Sequence, residues 1–194
     1  MERTLVIIKP DAVQRGISGE IIARFEKAGI KVVGLKMLYV SKVLANKHYP
    51  ADRVELVEGI GKKTLENYEE LKLDAKKELG TTDPKKIGEL VRTWLVEFIR
   101  SGPVFALVLE APGVIEYVRK ITGHTFPLKA DPGTIRSQYS FDSTYLANIS
   151  KRPVKNLIHA SGNTAEAQFE VGLWFKDEEL HDYDAIHHKH MLQN

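Results

Sequence analysis

At 194 residues, 43% hydrophobic and 28% charged, the chain can bury one sizeable core and falls within the range of a single domain, 1–194. Its 28 Lys plus Arg against 26 Asp plus Glu leave a net charge of +2, too small for a nucleic-acid coat or a polybasic membrane anchor, so any anion site must be local. The lack of cysteine excludes disulfides, thiolate metal sites and cysteine nucleophiles and points to a cytoplasmic protein, while the small net charge leads us to expect no membrane partner and no obligatory nucleic-acid partner.

The start, Met1 to Asp11, holds only a short apolar run before Lys9-Pro10-Asp11 and resembles neither a signal peptide nor a membrane span. Thr4 to Ile8 reads as a buried strand whose end projects Lys9 and Asp11. Ser18 can cap a helix with Ile21, Ile22 and Phe25 at helical spacing, which Gly29 stops. Lys31 to Val40 places Val33, Leu35, Met37 and Tyr39 on one face of a half-buried strand, and a short helix follows Ser41 as far as Tyr49-Pro50. From about 50 to 88 the composition shifts to Lys, Glu and Leu, read as an inserted helical segment with a helix from Lys62 to Leu79 and a turn at Gly80 to Pro84.

Thr82 or Asp83 before Pro84 starts a helix with an apolar stripe of Ile87, Leu90, Val91, Trp94, Leu95 and Phe98, read mainly as core packing. Val104 to Leu109 is a third strand, fully buried; Pro112 opens a helix through Ile115, Val118 and Ile121 that Gly123 stops. A polar loop then runs from His124 to about Arg152, with Val154 to Ile158 as the fourth strand. Asn163 and Glu166 have capping-box spacing before a helix through Phe169, Val171 and Trp174. Residues 181–194 form a polar tail. Its His187, His188 and His190 lack a rigid element to hold a metal, and no metal ligand is expected in the chain. The β-α order fits a split βαβ sandwich with helices on one face of an antiparallel sheet; a doubly wound parallel sheet is the rival, but its GxGxxG or GxxxxGK[ST] fingerprints are missing.

His159 stands at a strand end in Asn156-Leu157-Ile158-His159-Ala160-Ser161. A neutral imidazole there can attack phosphorus with one nitrogen while a partner such as Glu170 holds the other. Taken alone, such a histidine is more often an ordinary hydrogen-bonded residue. Lys9, Arg119, Thr125 and Arg136 supply the rest of a polyphosphate site without a P-loop, provided that they converge in space.

At this point the chain resembles the nucleoside diphosphate kinases. The likeness rests on Thr4 to Gly16 (TLVIIKPDAVQRG), His48-Tyr49, Ser101-Gly102-Pro103-Val104, Pro132-Gly133-Thr134-Ile135-Arg136, and Asn156 to Ser161 (NLIHAS) with Glu170 downstream, in that order. It implies an α+β, ferredoxin-like split βαβ sandwich with a four-stranded antiparallel sheet. It further implies Mg2+ as cofactor and ping-pong transfer from ATP and other nucleoside triphosphates to diphosphates through phosphorylated His159, with little regard to the base. The positions matching Lys9 and Asn156 would hold the sugar hydroxyl and nearby phosphate oxygens, and those matching Arg119, Thr125 and Arg136 the phosphates. Tyr49, Ser161 and Glu170 would shape the histidine site, and Val91 or nearby Trp94 would meet the base. The resemblance also implies a homo-oligomer, hexamer or alternatively tetramer, using the loop around Pro127.

The chain departs from the family pattern in Ala160 and Gly162, where a glycine and an acidic residue are usual, and in two insertions, about 50–88 and between 137 and 155. The altered Ala160-Ser161-Gly162 loop motivates an alternative, a nucleotide- or nucleic-acid-binding regulator on the same fold that binds without turnover.

Overall fold

The computed structural model describes residues 1–192. In chain order it comprises β1 (Glu2–Ile8), α1 (Pro10–Gln14), α2 (Ser18–Lys27), β2 (Lys31–Tyr39), α3 (Lys42–His48), α4 (Val54–Glu70), α5 (Ala75–Leu79), α6 (Pro84–Ile99), β3 (Pro103–Ala111) and α7 (Val114–Thr122). A 3-10 turn at Pro127–Lys129 follows, then α8 (Ile135–Tyr139), α9 (Thr144–Ile149), β4 (Ile158–Ala160), α10 (Thr164–Trp174), a second 3-10 turn at Asp177–Glu179, and α11 (Ile186–Leu192).

All strand pairs are antiparallel and the sheet order is β2-β3-β1-β4, the split βαβ arrangement expected, which removes the parallel-sheet rival. Helices cover both faces rather than the one expected. Val6, Ile8, Leu107 and Leu109 pack with Phe25, Val114 and Val118 on one side, while Leu5, Ile7, Ala106 and Val108 pack with Ala45, Val96, Ile99 and Trp174 on the other. Burial on both faces is why β1 and β3 are continuous apolar runs instead of alternating ones.

Several boundaries differ from the sequence-based expectations. Pro10 does not merely end β1 but opens α1, since a first-turn proline gives up no helical hydrogen bond. On β2 the expected stripe is broken by a bulge between Val32 and Gly34: Val33 is buried, while Leu35, Met37 and Tyr39 face outward, Tyr39 with 75% exposure. The expected Lys62 to Leu79 helix begins eight residues earlier, at Val54, and is interrupted at Leu71 to Asp74, where Lys72 takes φ 54° and Asp74 caps α5. Pro112 lies in the turn before α7, whose N-cap is Gly113 at φ 62°.

The polar loop after His124 contains α8 and α9, capped by Thr134 and Ser143. The fourth strand is not Val154 to Ile158 but the three residues Ile158–Ala160, because Leu157 sits at φ 70° and turns the chain into the sheet only after it. In the tail, His187, His188 and His190 lie on α11 rather than on an irregular segment; the last two residues of the expected 181–194 tail fall outside the described residues.

The inserted segment is tied to the body by α6. A Cβ at Gly61 would come within 1.8 Å of the Pro84 carbonyl oxygen, and one at Gly88 within 1.9 Å of that of Val57, so two glycines let the backbones of α4 and α6 touch.

Candidate functional site

A γ-turn presents the central residue. Ile158 N–H donates to the Asn156 carbonyl at 2.8 Å around Leu157, whose positive φ is strained for a side chain with a Cβ. The turn is held from three directions. Leu157 N–H donates to Asp11 Oδ2 at 3.0 Å, Lys9 N–H donates to the Leu157 carbonyl at 2.8 Å, and the Arg136 guanidinium donates to the carbonyls of Asn156, Gly123 and Ile158 at 3.2, 2.9 and 2.6 Å. From this turn His159 enters β4 opposite Ile7.

The His159 imidazole is 20% exposed, and its Nε2 lies 2.9 Å from the Glu170 carboxylate, delivered by α10. Glu170 is buried, accepts the Ser161 hydroxyl proton at 2.7 Å and lies 3.4 Å from His48 Nδ1. Burial raises the Glu170 pKa, with His48 and the Ser161 hydrogen bond opposing. A carboxylate taking the Nε2 proton fixes the tautomer in which the Nδ1 lone pair is free to attack. Burial, and then the charge of Lys9, depress the His159 pKa to about 3, so the ring stays neutral and nucleophilic at ordinary pH.

His48 packs edge-on to His159 with centroids 4.6 Å apart and accepts the Trp174 indole N–H at 3.3 Å; burial lowers its pKa to about 3 as well. Tyr49 packs against His48, and burial pushes its hydroxyl pKa up. His48 was named in the sequence only as part of a dipeptide, with no role. The contact that gives it one comes from α3 crossing α10, which spacing does not reveal. Ligand-type atoms of His48, His159 and Glu170 lie within 4.8 Å of one another, but each is already engaged, by Trp174, the carboxylate and Ser161 respectively.

Beside His159 opens a cleft of about 400 Å3 lined by Lys9, Tyr49, Val91, Arg119, Thr125, Arg136 and Asn156. The expected site residues therefore converge, with Ser161 and Glu170 behind the histidine. Lys9 Nζ donates to Asn156 Oδ1 at 2.7 Å, and Asn156 Nδ2 donates to the Thr125 carbonyl at 2.8 Å. Burial and the neighbouring Arg136 charge lower the Lys9 pKa to about 8; burial and the charge of Arg119 lower that of Arg136 to about 10. Two cations held at such cost, without a carboxylate hydrogen-bonded to either of them, and Arg119 beside them suit an anion.

Val91, Trp94 and Leu95 form the apolar part of the same cleft, so part of the α6 stripe read as core is an open wall. The buried positions of α6 are Ile87, Gly88, Val96 and Ile99, of which only Ile87 belongs to the expected stripe.

Ala160 pairs with Val6 in β4, ordinary extended backbone that explains why a glycine is dispensable there. Gly162 donates its N–H to the carboxylate of Glu166, and a Cβ on Gly162 would lie 3.8 Å from Arg119 Nη1. Half of the expected capping box forms, with Asn163 accepting from Glu166 N–H, but the Glu166 carboxylate turns to Gly162 and lines the cleft. A carboxylate thus stands beside the position where the family's acidic residue is missing.

The chain matches the family model described as Nucleoside diphosphate kinase over residues 2–56 and 76–180, so the unmatched stretch is narrower than the expected 50–88 and falls on α4 and its link to α5. It is 46% identical over 180 residues to the nucleoside diphosphate kinase of Pyrobaculum aerophilum, covering 93% of this chain and 98% of that one. The crystal structure of an NDP kinase from Pyrobaculum aerophilum superposes with a TM-score of 0.90 at 44% identity, over 93% of this chain and 99% of that one. A transition state mimic of the Borrelia burgdorferi nucleoside diphosphate kinase with bound vanadate and ADP superposes with a TM-score of 0.76 at 36% identity, over 97% and 95% of the two chains.

Proposed function

The chain belongs to the nucleoside diphosphate kinase family, and from that premise we propose that it passes the γ-phosphate of a nucleoside triphosphate to a nucleoside diphosphate through His159. The observation that carries this is the His159 Nε2 contact of 2.9 Å with buried Glu170 at the edge of a cleft holding Lys9, Arg119 and Arg136. The Nδ1 lone pair forms a bond to the γ-phosphorus as the bridging-oxygen bond breaks, and the electron pair leaves with the diphosphate. A second diphosphate then attacks the phosphohistidine through a terminal oxygen and restores the neutral imidazole. Glu170 holds the ring proton throughout, while the cations match the charge on the equatorial oxygens. Apolar walls at Val91, Trp94 and Leu95 suit any base face, consistent with broad specificity.

Mg2+ is the metal we assign to this reaction. Among the described residues Glu166 is the one carboxylate lining the cleft, too few protein oxygens for a resident octahedral site but suited to a cation carried in on the phosphates. When bound, the ion would neutralise phosphate charge, with Glu166 the one cleft carboxylate placed to help hold it. A homo-oligomer is supported by the outward Leu35, Met37 and Tyr39 on an edge strand and by Leu128, 79% exposed, in the loop after Pro127; the hexamer, with the tetramer as alternative, is what the resemblance to the family implies. The cysteine-free sequence suits a reducing cytoplasm; no helix of the described residues is long and apolar enough to cross a membrane.

Intact-mass spectrometry after brief incubation with Mg-ATP tests the transfer. One acid-labile phosphate on the wild type, absent from His159→Ala and discharged by a diphosphate of another base, is the expected result. No adduct despite measurable ATP binding would overturn it in favour of a binding-only protein.

A further inference from the structure

A second pocket, of about 780 Å3, opens on another face of α10 and is of a size that takes a small molecule. Its walls alternate in sequence with the site around His159. α3 contributes Asn46 and Lys47 ahead of His48, the turn after it Pro50 next to Tyr49, and α6 Arg92 beside Val91. From α10 come Phe169, Gly172 and Leu173 at the i, i+3, i+4 spacing of one helical face, while Glu170 and Trp174 reach the histidines from a different one. Anything that fills this pocket therefore touches α3, α6 and α10, which carry His48, Val91 and Glu170.

The chemistry of the pocket is aromatic and cationic. Phe169 is 44% exposed, and the Arg53 guanidinium carbon stands 5.2 Å from its ring centroid, a stacked platform left open to solvent. A Cβ at Gly172 would meet nothing within 4 Å and its φ is not positive, so neither close packing nor backbone conformation requires glycine inside a helix that glycine weakens. The room that a side chain would take belongs to the pocket. Arg92 Nε and Nη2 donate to the Tyr49 carbonyl at 2.6 Å and to Asn46 Oδ1 at 2.5 Å, which leaves Nη1 without a bond among the described residues. Lys47 is exposed, and Asp52 is the one carboxylate of the lining against Lys47, Arg92 and the adjoining Arg53. Burial raises the Glu170 pKa and Arg53 is among the groups that oppose it, so charge at this pocket is felt by the carboxylate that holds His159.

We propose that this pocket is a regulatory site for a flat aromatic ring bearing a carboxylate or phosphate, and that its occupant slows phosphate transfer at His159. The ring lies against Phe169 over the gap at Gly172, and the anion sits among Lys47, Arg53 and Arg92. An anion there offsets the Arg53 charge and makes Glu170 a weaker partner for the positive ring of a phosphohistidine. It also competes for the Arg92 guanidinium that clasps the end of α3 beside His48. The rate effect rests on transfer through His159; the binding does not.

The test is equilibrium dialysis of 2-naphthoate and of 1-naphthyl phosphate with the cleft beside His159 saturated by Mg-ADP, on the wild type, Lys47→Glu and Gly172→Leu. Gly172→Leu fills the pocket with a residue that favours helix, so its urea midpoint should not fall. At least one probe should bind the wild type alongside ADP, and each substitution should weaken it about tenfold or more. At saturation that probe should slow phosphoenzyme formation from saturating Mg-ATP by about fivefold in the wild type and leave Gly172→Leu unaffected. No binding of either probe, displacement by Mg-ADP, or equal binding to all three proteins overturns the site. Binding that leaves the rate of phosphoenzyme formation unchanged overturns the regulation. If no phosphoenzyme forms even without a probe, yet binding survives ADP and is lost in both variants, the pocket stands and the transfer mechanism falls.

Discussion

Lys9 and His159 share the cleft and hold opposite protonation states at neutral pH because both are buried among positive charge. In the proposed transfer Lys9, with its pKa lowered to about 8, keeps its proton and can hold phosphate, whereas His159, lowered to about 3, lacks one and can attack. As pH rises through the Lys9 pKa the free enzyme loses a cation, so kcat/KM should be level from about pH 5 to 7.5 and then fall toward tenfold per unit. A profile level to pH 9.5 would show that Lys9 is not the titrating group. Stability has the opposite slope. His48 and His159 have folded pKa values below the unfolded one, so the unfolded chain takes up protons first as pH falls from about 6.5 toward 3, and the denaturant midpoint should drop across that window. Asp11 acts through the backbone. Asp11→Ala removes the acceptor of Leu157 N–H inside the buried strained turn, and should lower stability by about 1–3 kcal/mol and transfer by more than tenfold, read by urea melts and initial rates. His159, Lys9 and Arg136 were legible in the sequence through strand ends and charge. Asp11 and His48 gained roles only where separate elements meet.

At the level of elements, β1, α2, β3, α7 and α10 were legible because hydrophobic period and caps agree there, as at Phe25, Val118 and Asn163. Short pieces were not. α8 and α9 rest on hydroxyl caps in polar sequence, and β4 depends on pairing with β1 rather than on any propensity of Ile158-His159-Ala160. The packing of α4 on α6 was equally hidden, since Gly61 and Gly88 look like helix-weakening residues until the partner backbone is present. Gly61→Ala should force the helices apart, lowering the melting temperature by several degrees and raising KM for diphosphates, because Ile60, Lys63 and Thr64 flank the altered position in the cleft wall. An unchanged KM with lowered stability would separate α4 from substrate binding.

Across the whole molecule, the C-terminal segment closes over the edge strand. His181 N–H donates to the Val33 carbonyl at 2.7 Å, Leu180 and Phe175 fill the space left by Gly34, and Asp182 pairs with buried Lys31 at 2.6 Å. Ending the chain at Lys176 should leave Lys31 with Glu110 alone, uncover the space that Leu180 fills beside Gly34 and lower the urea midpoint, whereas ending it at Ala185 should shift that midpoint by less than half as much.

The sheet order has a consequence for how the protein is made. β1 is the first strand to be synthesised, yet Leu5 pairs opposite Val108 and Ile7 opposite His159, so the central strand must wait for partners near the middle and the end of the chain. A nascent chain still short of residue 158 carries the apolar run Leu5 to Ile8 on a strand with an open edge, attractive to chaperones, proteases and other unfinished chains. His159, the proposed phosphate acceptor, arrives on the last strand to pair. A product interrupted before it lacks that acceptor, and the cleft beside it is complete only when the sheet is.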